Sequence, residues 1–116
     1  MSTILYGIPN CDSVKKARKW LDANNVAYQF HDFRKDGLSS SLLDQWLKLQ
    51  SWEVLLNKRG TTWRQLPEQT KLAINETNAR NLMLENPTLI KRPVVSHNKA
   101  LLVGFQEKLF KQEFSV

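Results

Sequence analysis

The 116-residue sequence predicts a single α/β domain whose elements run β-α-β, then helices, then β-β-α. Three observations predict it. Two β-prone runs flank an amphipathic helical pattern within the first thirty or so residues, the spacing of a βαβ unit. The middle of the chain is helix-compatible and punctuated by Gly60, Pro67 and Pro87. Two short apolar runs near the C-terminal end are separated by a turn and followed by one more helical pattern.

Each element has a local reason. Residues 3–7 (Thr-Ile-Leu-Tyr-Gly) form a short β-prone run closed by Gly7 and Pro9, which reads as a buried strand. Asn10, Cys11, Asp12 and Ser13 supply N-cap candidates for the helix that follows. In that helix Val14, Ala17 and Leu21 recur on one face, and Lys15, Lys16, Arg18 and Lys19 point elsewhere. Asn24-Asn25 ends it, and Val26 to His31 reads as a second strand. Asp32 to Gly37 is turn-rich. Ser39–Ser41 caps a helix through Leu42, Leu43, Trp46 and Leu47. The helical insertion covers about 39–86 within one domain over 1–116. Pro93 to Ser96 and Ala100 to Val103 read as strands joined by His97-Asn98-Lys99. Gly104 then opens a final helix carrying Phe105, Leu109 and Phe110 as an apolar stripe.

Composition narrows the function. The chain is 41% apolar, close to the range of ordinary globular domains. Its apolar runs fall far short of the ~18–20 residues that span a bilayer. Thr3, Tyr6 and Asn10 interrupt any leader-like apolar stretch, so no membrane association is expected. A single cysteine excludes an intramolecular disulfide and makes the cytoplasm the expected setting. Seventeen basic against eleven acidic residues give a net charge of +6, which favours anionic partners without naming one. No helix-turn-helix or zinc-finger pattern is visible, and nucleic acid is not an expected partner. His31 and His97 stand in no ligand spacing with Cys11, so no metal is expected.

Cys11 is the residue with chemistry to explain. It lies between a strand and a helix, where unpaired N–H groups and the positive end of the helix dipole favour a thiolate. A lone thiol cannot complete a redox cycle within the chain. Its second reducing equivalent must come from another molecule.

The run Tyr6-Gly-Ile-Pro-Asn-Cys11-Asp-Ser-Val-Lys-Lys16-Ala-Arg-Lys-Trp20-Leu21 resembles the arsenate reductase-related family. That family includes the Spx-type transcription regulators and the uncharacterised YffB-type members. Asp32-Phe-Arg-Lys-Asp-Gly-Leu-Ser39, Asn57-Lys-Arg59-Gly-Thr-Thr-Trp63-Arg64, Pro87-Thr-Leu-Ile-Lys-Arg92-Pro93-Val94 and Val103-Gly104-Phe105 extend the resemblance in family order. It implies a thioredoxin-like fold with a helical insertion between the N-terminal βαβ and C-terminal ββα units. It also implies that Cys11 is the nucleophile and that Arg92 precedes a cis Pro93 facing it.

The resemblance carries departures as well. Arsenate reductases of this type bind the oxyanion with three arginines and place a histidine four residues before the cysteine. Here Gly7 takes the histidine position, Asn57 the first arginine position with Arg59 close by, and Val103-Gly104 the last. Spx-type sensors pair the cysteine with another three residues on, where this chain has Val14. The expectation is therefore a glutathione-dependent thiol–disulfide oxidoreductase with no bound cofactor and glutathione as co-substrate. Arg92, Pro93, Arg59, Lys16 and Gly104 are the candidate binding residues, and glutaredoxin or an oxidised protein a further partner. The chain is expected to act as a monomer. The alternatives are a non-catalytic Spx-like interaction protein and a weak glutathione- and glutaredoxin-dependent arsenate reductase.

Overall fold

The computed structural model describes residues 3–116 and divides into two compact units, one built from the chain through Gly37 together with Arg92–Val116, the other from Leu38–Lys91. The first unit contains β1 (Thr3–Gly7), α1 (Asp12–Ala23), β2 (Gln29–Asp32) and a short α2 (Phe33–Asp36). The chain returns to it with β3 (Val94–His97), β4 (Ala100–Val103) and, at the end, a helix over Glu107–Phe114. The strands form one mixed sheet in the order β2-β1-β3-β4. β1 runs parallel to β2, with Gly7 opposite Asp32, and antiparallel to β3, with Tyr6 opposite Val94. β4 closes the other edge, with Val94 opposite Val103.

The predicted face of α1 is the one that packs. Val14, Ala17 and Leu21 are fully buried in a cluster with Leu5, Val95 and Phe110. The close approach of α1 to β1 depends on Gly7. A Cβ built there would lie 2.6 Å from Cγ2 of Val14, whose own side chain is fully buried. Gly7→Ala is therefore expected to destabilise the protein by about 1–3 kcal/mol, the usual cost of overpacking a filled core. Urea unfolding checks this, and a midpoint unchanged from wild type would contradict the packing argument.

The end of α1 follows a Schellman pattern. Asn25 takes φ 58°, its N–H donates to Asp22 O at 3.2 Å, and Val26 N–H donates to Leu21 O at 2.9 Å. That arrangement ties Val26 to the helix end, so β2 begins at Gln29 and not at Val26 as expected. Asp32 to Gly37 is also more ordered than its turn-rich composition predicts. The Asp32 carboxylate accepts from Arg34 N–H at 2.8 Å and caps α2, which Gly37 ends at φ 71°.

Three expectations at the C-terminal end are corrected. β3 starts at Val94, after Pro93, and runs through His97. His97 is thus a strand residue and not part of the turn: it is buried, with Nδ1 2.7 Å from Thr3 Oγ1 and its ring against that of Phe114, centroids 4.5 Å apart and planes tilted by 52°. The turn needs only Asn98-Lys99, because Asn98 adopts φ 53°, a conformation Asn tolerates. The last helix opens at Glu107, three residues past Gly104, with Gln106 as its N-cap. Phe105 precedes it and Leu109 is exposed, leaving Phe110 as its fully buried residue.

The second unit holds α3 (Ser40–Leu49), α4 (Trp52–Leu55), α5 (Thr61–Arg64), α6 (Glu68–Leu72), α7 (Glu76–Glu85) and a 3₁₀ turn at Pro87–Leu89; the helix over Glu107–Phe114 is thus α8. Side-chain caps start three of these helices: Ser39 accepts from Leu42 N–H, Ser51 from Glu53 N–H and Asn75 from Asn78 N–H. Leu43, Trp46, Leu55, Ala79, Met83 and Ile90 are buried, and Leu56 bridges to Ile90 in antiparallel fashion. Arg80 grips Asp44 with two hydrogen bonds, at 2.6 and 3.1 Å, and ties α7 to α3. That hydrogen bonding holds the Asp44 carboxyl below its ordinary range. Trp63 shares the Lys58 ammonium with Trp52, at 5.6 and 5.8 Å from the two rings.

Candidate functional site

Cys11 reaches its position through a tight turn. Pro9 and Asn10 occupy the two central places of a turn that Cys11 N–H closes on Ile8 O at 3.4 Å, the places these residue types favour. Cys11 then adopts an extended backbone, φ −98° and ψ 128°, and serves as the N-cap of α1. Its carbonyl accepts Lys15 N–H at 2.9 Å, the first bond of the helix. None of the expected polar caps, Asn10, Asp12 or Ser13, takes that place. The Cys11 side chain makes no capping bond and stays half-buried beside the core cluster. Among the described residues, no side-chain oxygen caps the first turn of α1.

Strand register brings other predicted residues to the same end of the sheet. β1 ends at Gly7, and Tyr6 pairs with Val94, so Pro93 lies at the level where the Cys11 turn begins. The Arg92–Pro93 peptide is cis. Pro93 is buried, and its carbonyl accepts Gly104 N–H at 2.8 Å. Gly104, at φ 77°, continues the β3–β4 ladder by one bond and then turns the chain away. Its N–H is committed to Pro93 and does not open a helix, which corrects the expectation that Gly104 begins the final helix. Arg92 is half-buried and, among the described residues, its guanidinium has no hydrogen-bond or ion-pair partner. Desolvation raises the titration of the buried Tyr6 phenol.

One predicted residue, Lys16, is turned away from this group. Lys16 is exposed, and five helical positions turn it about 140° around α1 from Cys11. Arg59 belongs to the second unit, where it is exposed and its N–H donates to Asn57 Oδ1 at 3.1 Å. Among the described residues no three His, Cys, Asp or Glu side chains cluster as metal ligands would. Among them, too, no helix is long and apolar enough to cross a membrane.

Sequence reasoning misses Arg18, which periodicity assigns to a solvated helix face. Its guanidinium lies 4.2 Å over the Phe30 ring, and Nε donates to Tyr28 Oη at 3.0 Å. The signal is present in the sequence. Arg18 follows Cys11 by seven residues, two helical turns, and Val26, Tyr28 and Phe30 alternate along the approach to β2 and through it.

Comparison with known proteins agrees with this geometry. The ArsC family model matches residues 6–112. An uncharacterised protein of Haemophilus influenzae is 48% identical over 111 residues, covering 96% of this chain and 97% of that protein. The global transcriptional regulator Spx of Streptococcus mutans is 32% identical over 109 residues, covering 89% of this chain and 76% of Spx. Among solved structures, a YffB protein superposes with a TM-score of 0.92 at 42% identity, covering 96% of this chain and 97% of that one. The four-stranded sheet, the helices around it and these relatives fix the architecture as thioredoxin-like, and the chain belongs to the ArsC family.

Proposed function

We propose that the protein is a glutathione-dependent thiol–disulfide oxidoreductase with Cys11 as its nucleophile. The observation that carries the proposal is the Cys11 thiol at the N-cap of α1, uncapped, at the sheet end where the cis Arg92–Pro93 peptide and an unpartnered guanidinium also lie. An N-cap position favours Ser, Thr, Asp or Asn, whose oxygens satisfy helix N–H groups. A cysteine there forgoes that stabilisation and places a sulfur where a thiolate is favoured.

In the cycle, the Cys11 thiolate attacks the glutathionyl sulfur of a glutathionylated protein. A new S–S bond joins Cys11 to one sulfur, and the other leaves as thiolate. A second glutathione thiolate then attacks this mixed disulfide. The attack falls on the glutathionyl sulfur, so oxidised glutathione leaves and the Cys11 thiolate is restored, the reduced target having departed in the first step. Arg92 supplies charge for a glutathione carboxylate, and the Pro93–Gly104 hydrogen bond fixes the surface beside it. Lys16 adds to the positive charge that α1 presents to an anionic substrate. Neither membrane nor nucleic acid enters the cycle.

Arsenate is the weaker substrate in this reading. A tetrahedral oxyanion needs several charge-assisted donors, and positions 7, 57 and 103–104 carry Gly, Asn and Val-Gly. The likeness to Spx favours a second reading, a binding protein that works without thiol chemistry. It cannot use an internal dithiol, because the place of a second cysteine is filled by the fully buried Val14.

The test is mass spectrometry after incubation with excess oxidised glutathione at pH 8. One glutathionyl group on Cys11, removed by added reduced glutathione, is expected. A chain that stays unmodified would overturn the proposal.

A further inference from the structure

The oxidoreductase reading leaves open which disulfides the site selects, and Arg18 addresses that question. α1 buries Val14, Ala17 and Leu21, and both Cys11 and Arg18 lie on one flank of that face. Seven residues at 100° each bring Arg18 within about 20° of the azimuth of Cys11, and about 10 Å along the helix axis. This flank faces β2, since Arg18 covers Tyr28 and Phe30. β2 is an edge strand whose neighbour in the sheet is β1.

The guanidinium is held on two sides. Phe30 supports its face at 4.2 Å, and the Tyr28 hydroxyl takes the Nε–H at 3.0 Å. The two Nη groups have no hydrogen-bond or ion-pair partner among the described residues, and Arg18 lines an open groove with Asp22, Val26, Ala27, Tyr28 and Phe30. A planar fork fixed in this way binds a carboxylate with two parallel bonds and little further loss of freedom. Lys15, exposed on the same flank, adds a second positive charge, while Asp22 sits one turn beyond and limits how far an acidic chain can extend.

We propose that the Arg18–Tyr28–Phe30 platform is a specificity site for extended protein segments that carry an acidic residue about three positions from the reacting cysteine. This rests on Cys11 being the nucleophile. Three residues of extended chain span about 10 Å, which matches the rise from Cys11 to Arg18. The segment lies along the α1–β2 flank with its disulfide at Cys11 and its carboxylate on the Nη groups. Cys11 Sγ forms the new bond to the substrate sulfur, and the former partner of that sulfur departs as a thiolate.

The experiment uses short synthetic peptides with one cysteine activated as a 2-pyridyl disulfide and Glu, Gln or Lys three residues away. Release of pyridine-2-thione at low ionic strength gives the rate of attack by Cys11, alongside adduct formation with oxidised glutathione. The Glu peptide is expected to react about tenfold faster than the Lys peptide, as charge steering allows. Arg18→Gln should bring the two within twofold while leaving the reaction with oxidised glutathione unchanged. Arg18→Lys keeps the charge without the fork and should give an intermediate preference, which covers the case where the glutamine variant folds poorly. Equal rates for Glu and Lys peptides in the wild type, or full preference retained in either variant, would overturn the platform and leave the nucleophile intact. No reaction with any peptide or with oxidised glutathione would remove both.

Discussion

Cys11→Ser is expected to abolish all adduct formation and exchange while making the protein more stable. The first half follows from chemistry, since a serine hydroxyl does not exchange with disulfides. The second follows from where the residue sits. Cys11 has the extended backbone of an N-cap, but its side chain makes no capping bond. A serine oxygen at that place can accept from a first-turn N–H of α1, a gain of about 0.5–1 kcal/mol against a residue that does not cap. Thermal melting and glutathione adduct formation, run on the same two proteins, check both halves. An inactive variant with an equal or higher melting temperature identifies a position where stability is given up for reactivity. In cells the same variant separates the two readings of function: loss of phenotype supports thiol chemistry, and full retention supports the Spx-like binding role.

Phe110→Ala is expected to cost about 3–5 kcal/mol of stability, more than the overpacking caused by Gly7→Ala. Phe110 is fully buried and joins elements far apart in the chain. Its ring meets Trp20 of α1 edge-on at 5.5 Å, Phe105 at 4.9 Å and Phe114 at 6.0 Å, within the cluster that holds Leu5 and Val95. Truncation leaves a cavity lined by rings whose positions are set from several elements, so collapse into it is restricted. Leu109, the neighbouring residue on α8, is 42% exposed. Its alanine variant should cost less than about 1 kcal/mol, consistent with a partly solvated site. Urea unfolding of both variants checks the pair, and equal losses would mean that α8 packs through a different face.

These two residues mark where the sequence is legible and where it is not. Local signals hold well. The Val14, Ala17 and Leu21 spacing identifies the buried face of α1, and Ser39 caps its helix as its type and place predict. The position of Cys11 at a strand–helix junction is readable because Gly7 and Pro9 bracket the strand end. What fails depends on partners distant in the chain. His97 looks like a turn residue until Thr3, ninety-four positions away, accounts for it in a strand. Leu109 fits a helical stripe as well as Phe110 does, and only the location of Trp20 and the sheet chooses between them. Gly104 reads as the start of a helix because a glycine before apolar residues gives no hint that its N–H is needed by Pro93. Arg18 is lost among lysines of the same charge, since periodicity cannot tell a solvated cation from one stacked on a ring of the next strand.

The contact between Gly7 and Val14 constrains the order in which this sequence can change. With Val14 in place, the first atom of any side chain at position 7 falls 2.6 Å from a buried methyl group. A substitution that shortens residue 14 must come first, and the reverse order passes through a destabilised intermediate. Gly7→Ala should therefore cost measurably less in a Val14→Ala background than in the wild type, a non-additivity expected of touching residues. A polar group can be introduced beside the Cys11 turn from position 7 along one mutational path and not along the other.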